Sequence, residues 1–258
     1  MSNTTRVERA KQVALALLVG GMAVAAFACH PAFAQKSPNR EQATMASDQP
    51  LTRKQLAIAP ISAATAVGDL PRLNAALNQA LDTGVSIGDA KEILVQMYAY
   101  TGFPRSLNAL GELMKVVEAR KQRGIQDAPG QDPGPVPTGK ELLALGTANQ
   151  TKLSGSPVQG PLFDFAPQVD EYLKTHLFGD IFARDNLDWQ SRELATVGAL
   201  AAMTGVEPQL DAHIRISMNV GLTPAQLRSA ADVLGEAGHP DAAARTRAAV
   251  DRQATAKR

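Results

Sequence analysis

The sequence predicts an all-α protein made of two tandem helical-bundle repeats behind a cleaved leader. Three observations carry that expectation. No stretch alternates apolar and polar residues between turn signals, as a half-buried strand must. Apolar residues recur at helical spacing over most of the chain from Leu51 onward. The punctuation between helices also repeats: Gly84-Val85-Ser86 matches Gly221-Leu222-Thr223, Gly102-Phe103-Pro104 matches Gly238-His239-Pro240, and Lys54-Gln55-Leu56-Ala57 matches Arg192-Glu193-Leu194-Ala195.

The leader comes first. Arg6, Arg9 and Lys11 precede an apolar run from Val13 to Ala28, and Ala32-Phe33-Ala34 places small residues where a signal peptidase needs them. Residues 1–34 are therefore expected to be a signal peptide cut after Ala34, leaving a periplasmic or secreted protein. A membrane anchor is the alternative, but the run is Gly-interrupted and short of the ~20 apolar residues a span requires. A lipoprotein tethered through Cys29 fits less well still, because Ala26-Phe27-Ala28 is a poor lipobox. Cleavage would remove Cys29, the only cysteine, together with His30, so that His176, His213 and His239 remain.

Residues 35–50 are polar and read as a flexible lead-in. The first repeat, residues 51–122, should hold helices near 52–68, 70–83, 86–101 and 104–122, with Pro60 kinking or interrupting the first. Residues 123–138, rich in Gly, Pro and Asp, read as a linker. The second repeat, residues 139–258, should hold helices near 188–204, 208–220, 224–237 and 240–255, preceded by two extra ones near 140–150 and 166–178. In each repeat a Gly ends one helix in the left-handed region, and Ser86 or Thr223 caps the next. Pro104 and Pro240 open the last helix of each unit.

The net charge of +1 and the absence of a basic stripe argue against a nucleic-acid partner. No later segment offers a stable membrane span. There is no GxGxxG, P-loop or GxSxG motif, and three scattered histidines without metal-ligand spacing give no metal site. No cofactor is expected.

From Val169 to Leu234 the pieces HLFGDIFARDNLD, SRELATVGALAAMTG and AHIRISMNVGLTPAQLRSAADVL resemble the carboxymuconolactone decarboxylase family, which shares the alkyl hydroperoxidase D-like helical fold. The stretch LNQALDTGVSIGDAKEILVQMYAYTGFP resembles it more weakly. The resemblance implies two tandem copies of that fold, and it implies that Glu193 and His213 lie together in a helix-lined pocket. It also implies a homo-oligomer, a trimer being favoured, since relatives assemble through helix faces into rings.

Glu193 shares a helix face with Val197 and Leu200, so it is either a buried carboxylate that needs a partner or an exposed first-turn residue drawn to the helix dipole. His213, alone, could be a packed or surface residue; a carboxylate beside it would orient and tune its imidazole. In the first repeat Gln55 and Ala76 occupy the matching positions, so proton chemistry is expected once per chain, in the second repeat. Arg184 is a candidate clamp for a substrate carboxylate, or else an ion-pair partner of Asp180 or Asp185. His176 is a candidate pocket residue, or else a cap for helix-end carbonyls. His239, Trp189, Met203 and Met218 read as structural.

The expected function is a cofactor-independent lyase or isomerase acting on a small carboxylated or lactone-like compound through a Glu193–His213 proton relay. The alternative is a small-molecule-binding envelope protein without turnover. A thiol peroxidase, the other activity of this fold, needs a low-pKa thiolate and a resolving thiol, and Gly205 to Ala212 (GVEPQLDA) supplies neither.

Overall fold

A computed structural model describes residues 49–256, all of whose regular elements are helical. The expected leader and nearly all of the lead-in lie outside the described residues. In the first repeat the helices are α1 (Arg53–Leu56), α2 (Ile58–Val67), α3 (Leu70–Asp82), α4 (Ile87–Thr101) and α5 (Phe103–Gln122). Pro60 explains why α1 and α2 are separate: a proline ring collides with the carbonyl four residues back, that of Leu56, and the helix breaks at Ala57. Ser86 accepts from the Asp89 N–H and Asp89 returns the bond, so a capping box starts α4. Gly84, at φ +94°, supplies the left-handed turn before it.

Residues 123–138 are tied down along their length. Arg120, buried at the end of α5, grips both carboxylate oxygens of Asp127 at 2.8 Å. The Ile87 and Gly88 N–H groups donate to the Ala128 and Pro129 carbonyls, and the Gly134 N–H donates to Asp185 at 2.8 Å. These bonds hold a stretch without regular structure against α4 and the second repeat.

Next come α6 (Gly139–Ser154), α7 (Pro161–Phe165) and α8 (Pro167–Tyr172), which runs into a nine-residue π-helix, Leu173–Ile181. The sequence suggests one α-helix over 166–178; the structure instead opens into wider turns, ending with the Phe182 N–H donating to the Leu177 carbonyl five residues back at 2.9 Å. There Gly146 of α6 lies so close to the π-helix that an added Cβ would run into the Lys174 carbonyl oxygen.

The second repeat proper comprises α9 (Trp189–Ala202), α10 (Glu207–Asn219), α11 (Pro224–Glu236) and α12 (Pro240–Ala256). Thr223 and Gln226 form the capping box that matches Ser86 and Asp89. The two repeats meet at the crossing of α2 and α9, both buried almost all round. Gly198 sits at that crossing, where a Cβ would fall 2.8 Å from the Ala59 Cα. One hydrophobic core draws on both repeats, with Ile61, Leu77 and Ile93 from the first and Leu194, Leu227 and Val250 from the second. A second cluster (Leu153, Leu177, Phe178, Ile181, Phe182 and Ile216) fastens α6 and the π-helix over α10. Among the described residues, no helix is long and apolar enough to cross a membrane.

Candidate active site

Glu193 opens the second turn of α9 and is fully buried, which excludes the exposed first-turn alternative. Its Oε2 is 2.8 Å from Nδ1 of His213, at the middle of the adjacent α10. His213 is itself buried, its side chain keeping 10% exposure, and Nε2 has no bonding partner among the described residues. A carboxylate sealed in a core is costly unless paired, and the imidazole supplies the pairing.

A third group comes from the other repeat. Tyr100, near the end of α4, stands edge-on to the His213 ring at 5.7 Å between centroids. Its ring is half-buried while its hydroxyl is enclosed and without a hydrogen-bond partner among the described residues. Burial and the adjacent Glu193 carboxylate push the phenol above its ordinary value, against the opposing pull of the Thr196 hydroxyl. It therefore stays protonated and able to donate. Glu193 Oε1 and Ser217 Oγ, the latter one turn beyond His213, are likewise buried and unpartnered among the described residues. Three such atoms around one ion-pairing couple are uncommon in a folded protein, because each carries an uncompensated desolvation cost.

Tyr100 also lines a cleft of about 520 Å³ whose wall includes Thr101, Arg105, Met203, Thr204 and Val206. Arg105 is exposed and makes no ion pair among the described residues. Nothing in the repeat pattern singles out Tyr100 or Arg105, since each belongs to the copy without the Glu–His pair. The one usable signal is that a duplicated bundle buries helices of one copy against the other.

Arg184 is placed differently from either expectation. Its guanidinium clamps Glu92 of α4 with two bonds, Nε to Oε1 at 2.8 Å and Nη2 to Oε2 at 3.0 Å. Asp185 and Asp180 have other partners, the Gly134 N–H and His176. The planar fork is engaged inside the protein, while about a third of the side chain remains exposed. Glu92 also accepts from the fully buried Arg192 at 2.9 Å and from Asn186 at 3.2 Å. Burial alone would raise the Glu92 carboxyl; the bonds from Arg184, Arg192 and Asn186 outweigh it and hold the group below its usual range.

His176 is not brought to the pair. It lies in the π-helix, half-exposed, with Nδ1 2.7 Å from Asp180 Oδ2 and its ring tilted against Tyr98 at 5.3 Å. Its side chain keeps 47% exposure, and its contacts are with Asp180 and Tyr98 rather than with Glu193 or His213. His239 is buried in the turn before α12, and Trp189 donates its indole N–H to the Phe182 carbonyl at 2.9 Å. Met203 and Met218 pack partly buried against the core. Among the described residues no His, Cys, Asp and Glu side chains gather as a metal-ligand group.

A family model for the carboxymuconolactone decarboxylase family matches residues 31–114 and again residues 167–252. The chain belongs to the carboxymuconolactone decarboxylase family. It carries two copies in tandem, and as a carboxymuconolactone decarboxylase-like or alkyl hydroperoxidase D-like protein its all-helical fold is that of the family. The second match contains both Glu193 and His213; the first contains Tyr100, Glu92 and Arg105. Compared with curated proteins, the chain matches none.

Proposed function

We propose that the protein is an exported, cofactor-independent lyase or isomerase for a small carboxylated or lactone-like compound, with Glu193 and His213 as its proton relay. The observation that carries this is the 2.8 Å contact between two buried titratable side chains, with the buried Glu193 Oε1, Ser217 Oγ and Tyr100 hydroxyl unpartnered among the described residues. An ionised carboxylate can only accept, so Glu193 fixes the imidazole proton on Nδ1 and leaves Nε2 to face the reactant. It also stabilises the imidazolium that forms when Nε2 takes up a second proton.

In a decarboxylation the bond to the leaving CO2 breaks and its electron pair moves into an adjacent carbonyl, giving an enolate. The Tyr100 hydroxyl is suited to donate to that oxyanion. His213, entering the step as the imidazolium with its Nε2 proton drawn from solvent, then delivers that proton to carbon, and the neutral ring is reprotonated by solvent after product leaves. Isomerisation uses the same groups, with Nε2 first taking the proton from carbon. Arg105, on the cleft that Tyr100 lines, is a second candidate beside Arg184 for holding a substrate carboxylate. Thiol peroxidase chemistry finds no support, since the chain has a single cysteine, Cys29, and no resolving thiol.

The test is a screen of the purified protein against lactones, β-keto acids and quinone-like compounds, followed by CO2 release and absorbance. Glu193→Gln and His213→Ala should each lower turnover by about 10²–10⁴-fold, with Tyr100→Phe lowering kcat more than it raises KM. Turnover unchanged in both relay variants would overturn the assignment. Ligand binding without turnover in the parent would instead favour the binding-protein alternative.

A further inference from the structure

The two copies meet at two equivalent helix contacts, α4 on α9 and α11 on α2. At the first, Glu92 and Gln96 lie one turn apart on α4 and bond to Arg192 and Thr196, one turn apart on α9. Superposing Gly84 on Gly221 makes Ser229 and Val233 the counterparts of Glu92 and Gln96, while Lys54 and Ile58 correspond to Arg192 and Thr196. At that second contact the Ser229 hydroxyl donates to the Ala225 carbonyl of its own helix, and Lys54 pairs with Asp89. Side-chain hydrogen bonds therefore cross the repeat boundary at the contact beside the Glu–His pair, and the counterpart residues make none across the other among the described residues.

Gln96 is the centre of that polar contact. It is fully buried, its Nε2 donates to the Arg192 carbonyl and to Thr196 Oγ1, each at 2.9 Å, and its Oε1 accepts from Arg192 Nη1 at 3.2 Å. These bonds fasten α4 to the one turn of α9 that contains Glu193. Glu92 grips only the far end of the Arg192 side chain, which can follow a small slip of the helices; the backbone carbonyl that Gln96 holds cannot. Tyr100 follows one turn after Gln96, edge-on to His213, and its hydroxyl has no hydrogen-bond partner among the described residues. No bond at the phenol itself sets its height against the pair, so the register of α4 on α9 must set it. A satisfied buried polar contact selects one register where an apolar one tolerates several.

We infer that Gln96 is a positioning residue for Tyr100: it locks α4 against α9 and so fixes where the phenol stands relative to Glu193 and His213. The inference rests on the reading of these three as the reacting groups, but the placement is measurable without turnover.

The test uses protein carrying ¹³C at the tyrosine ζ carbon and in the histidine ring, with Tyr100→Phe and His213→Ala assigning the two signals among the three tyrosines and the histidines. Gln96→Met keeps the length and removes every hydrogen bond, and should shift both the Tyr100 and the His213 signals at neutral pH. Thr196→Val, which deletes one of the bonded partners, should shift both in the same direction. Ser106→Ala is the control: it removes a buried bond of 2.7 Å to the Leu94 carbonyl of the same helix, and should lower stability with both signals in place. In assays with the β-keto acids, lactones and quinone-like compounds of the screen, Gln96→Met should lower kcat by about 10–100-fold with KM little changed. It should have no further effect once Tyr100 is Phe. Unmoved signals, equal shifts from Ser106→Ala, or a full further loss in the Tyr100→Phe background would overturn the positioning role. Signals that move as expected in a protein without turnover would uphold the placement and remove the catalytic reading instead.

Discussion

Glu92 organises the charges beside the candidate site. It accepts from Arg184, Arg192 and Asn186, and Arg192 has no exposure at all. Removing the carboxylate strands a buried guanidinium, so Glu92→Ala should cost about 3–5 kcal/mol in urea unfolding. Its lowered pKa means that its contribution is present above the ordinary carboxylate range and fades as pH falls through the lower folded value. His239 works at milder pH. Burial first, and then Arg72, lower its proton affinity from the ordinary 6.5, with Asp69 opposing. The unfolded chain therefore takes up the proton more readily, and stability should fall as pH drops below 6.5. Between about pH 7.5 and pH 5.5, His239→Gln should lose less of its urea midpoint than the parent does; an equal loss would assign that sensitivity to other groups. The contrast between Glu193 and Arg184 shows what single residues disclose. Glu193 stands on an apolar helix face, so its burial can be read locally. The partner of Arg184 lies on α4 in the other copy, where no local periodicity points to it.

At the scale of helices, glycines decide how closely the elements approach. Gly198 lies where α2 and α9 cross, and Gly146 where α6 meets the π-helix. Helix propensity alone makes Gly→Ala favourable by roughly 1 kcal/mol. At these two positions the new Cβ would enter backbone atoms of the facing element, so Gly198→Ala and Gly146→Ala should destabilise. Gly111, inside α5, has nothing within 4 Å of its would-be Cβ, and Gly111→Ala should stabilise by up to roughly 1 kcal/mol. Gly146→Ala should also change the emission of Trp189, the only tryptophan, whose indole is bonded at the edge of the cover. A uniform gain at all three sites in thermal unfolding would contradict these close approaches. The helix boundaries were largely readable because caps, prolines and left-handed glycines act over three or four residues. The π-helix was not readable: nothing local in Leu173–Ile181 marks its wide turns, and its closest packing is against Gly146 of α6.

For the whole molecule, the two copies behave as one folding unit rather than two domains on a tether. Their common core, the α2–α9 crossing and the Glu92–Arg192 pair all cross the repeat boundary, and residues 123–138 are bonded to both sides. Each copy alone would expose α2 or α9, helices buried almost all round, and the second copy would also lose Tyr100 from beside His213. Unfolding should therefore be a single cooperative transition, with tryptophan emission from the second copy and far-ultraviolet ellipticity from both giving the same midpoint. Fragments ending or starting at Thr138 should each remain unfolded alone and recover helicity only when mixed. Two resolved transitions, or a first-copy fragment that melts cooperatively by itself, would mean that the duplicated halves retain separate stability. In that case the first copy could not be regarded as a wall of the Glu193–His213 site.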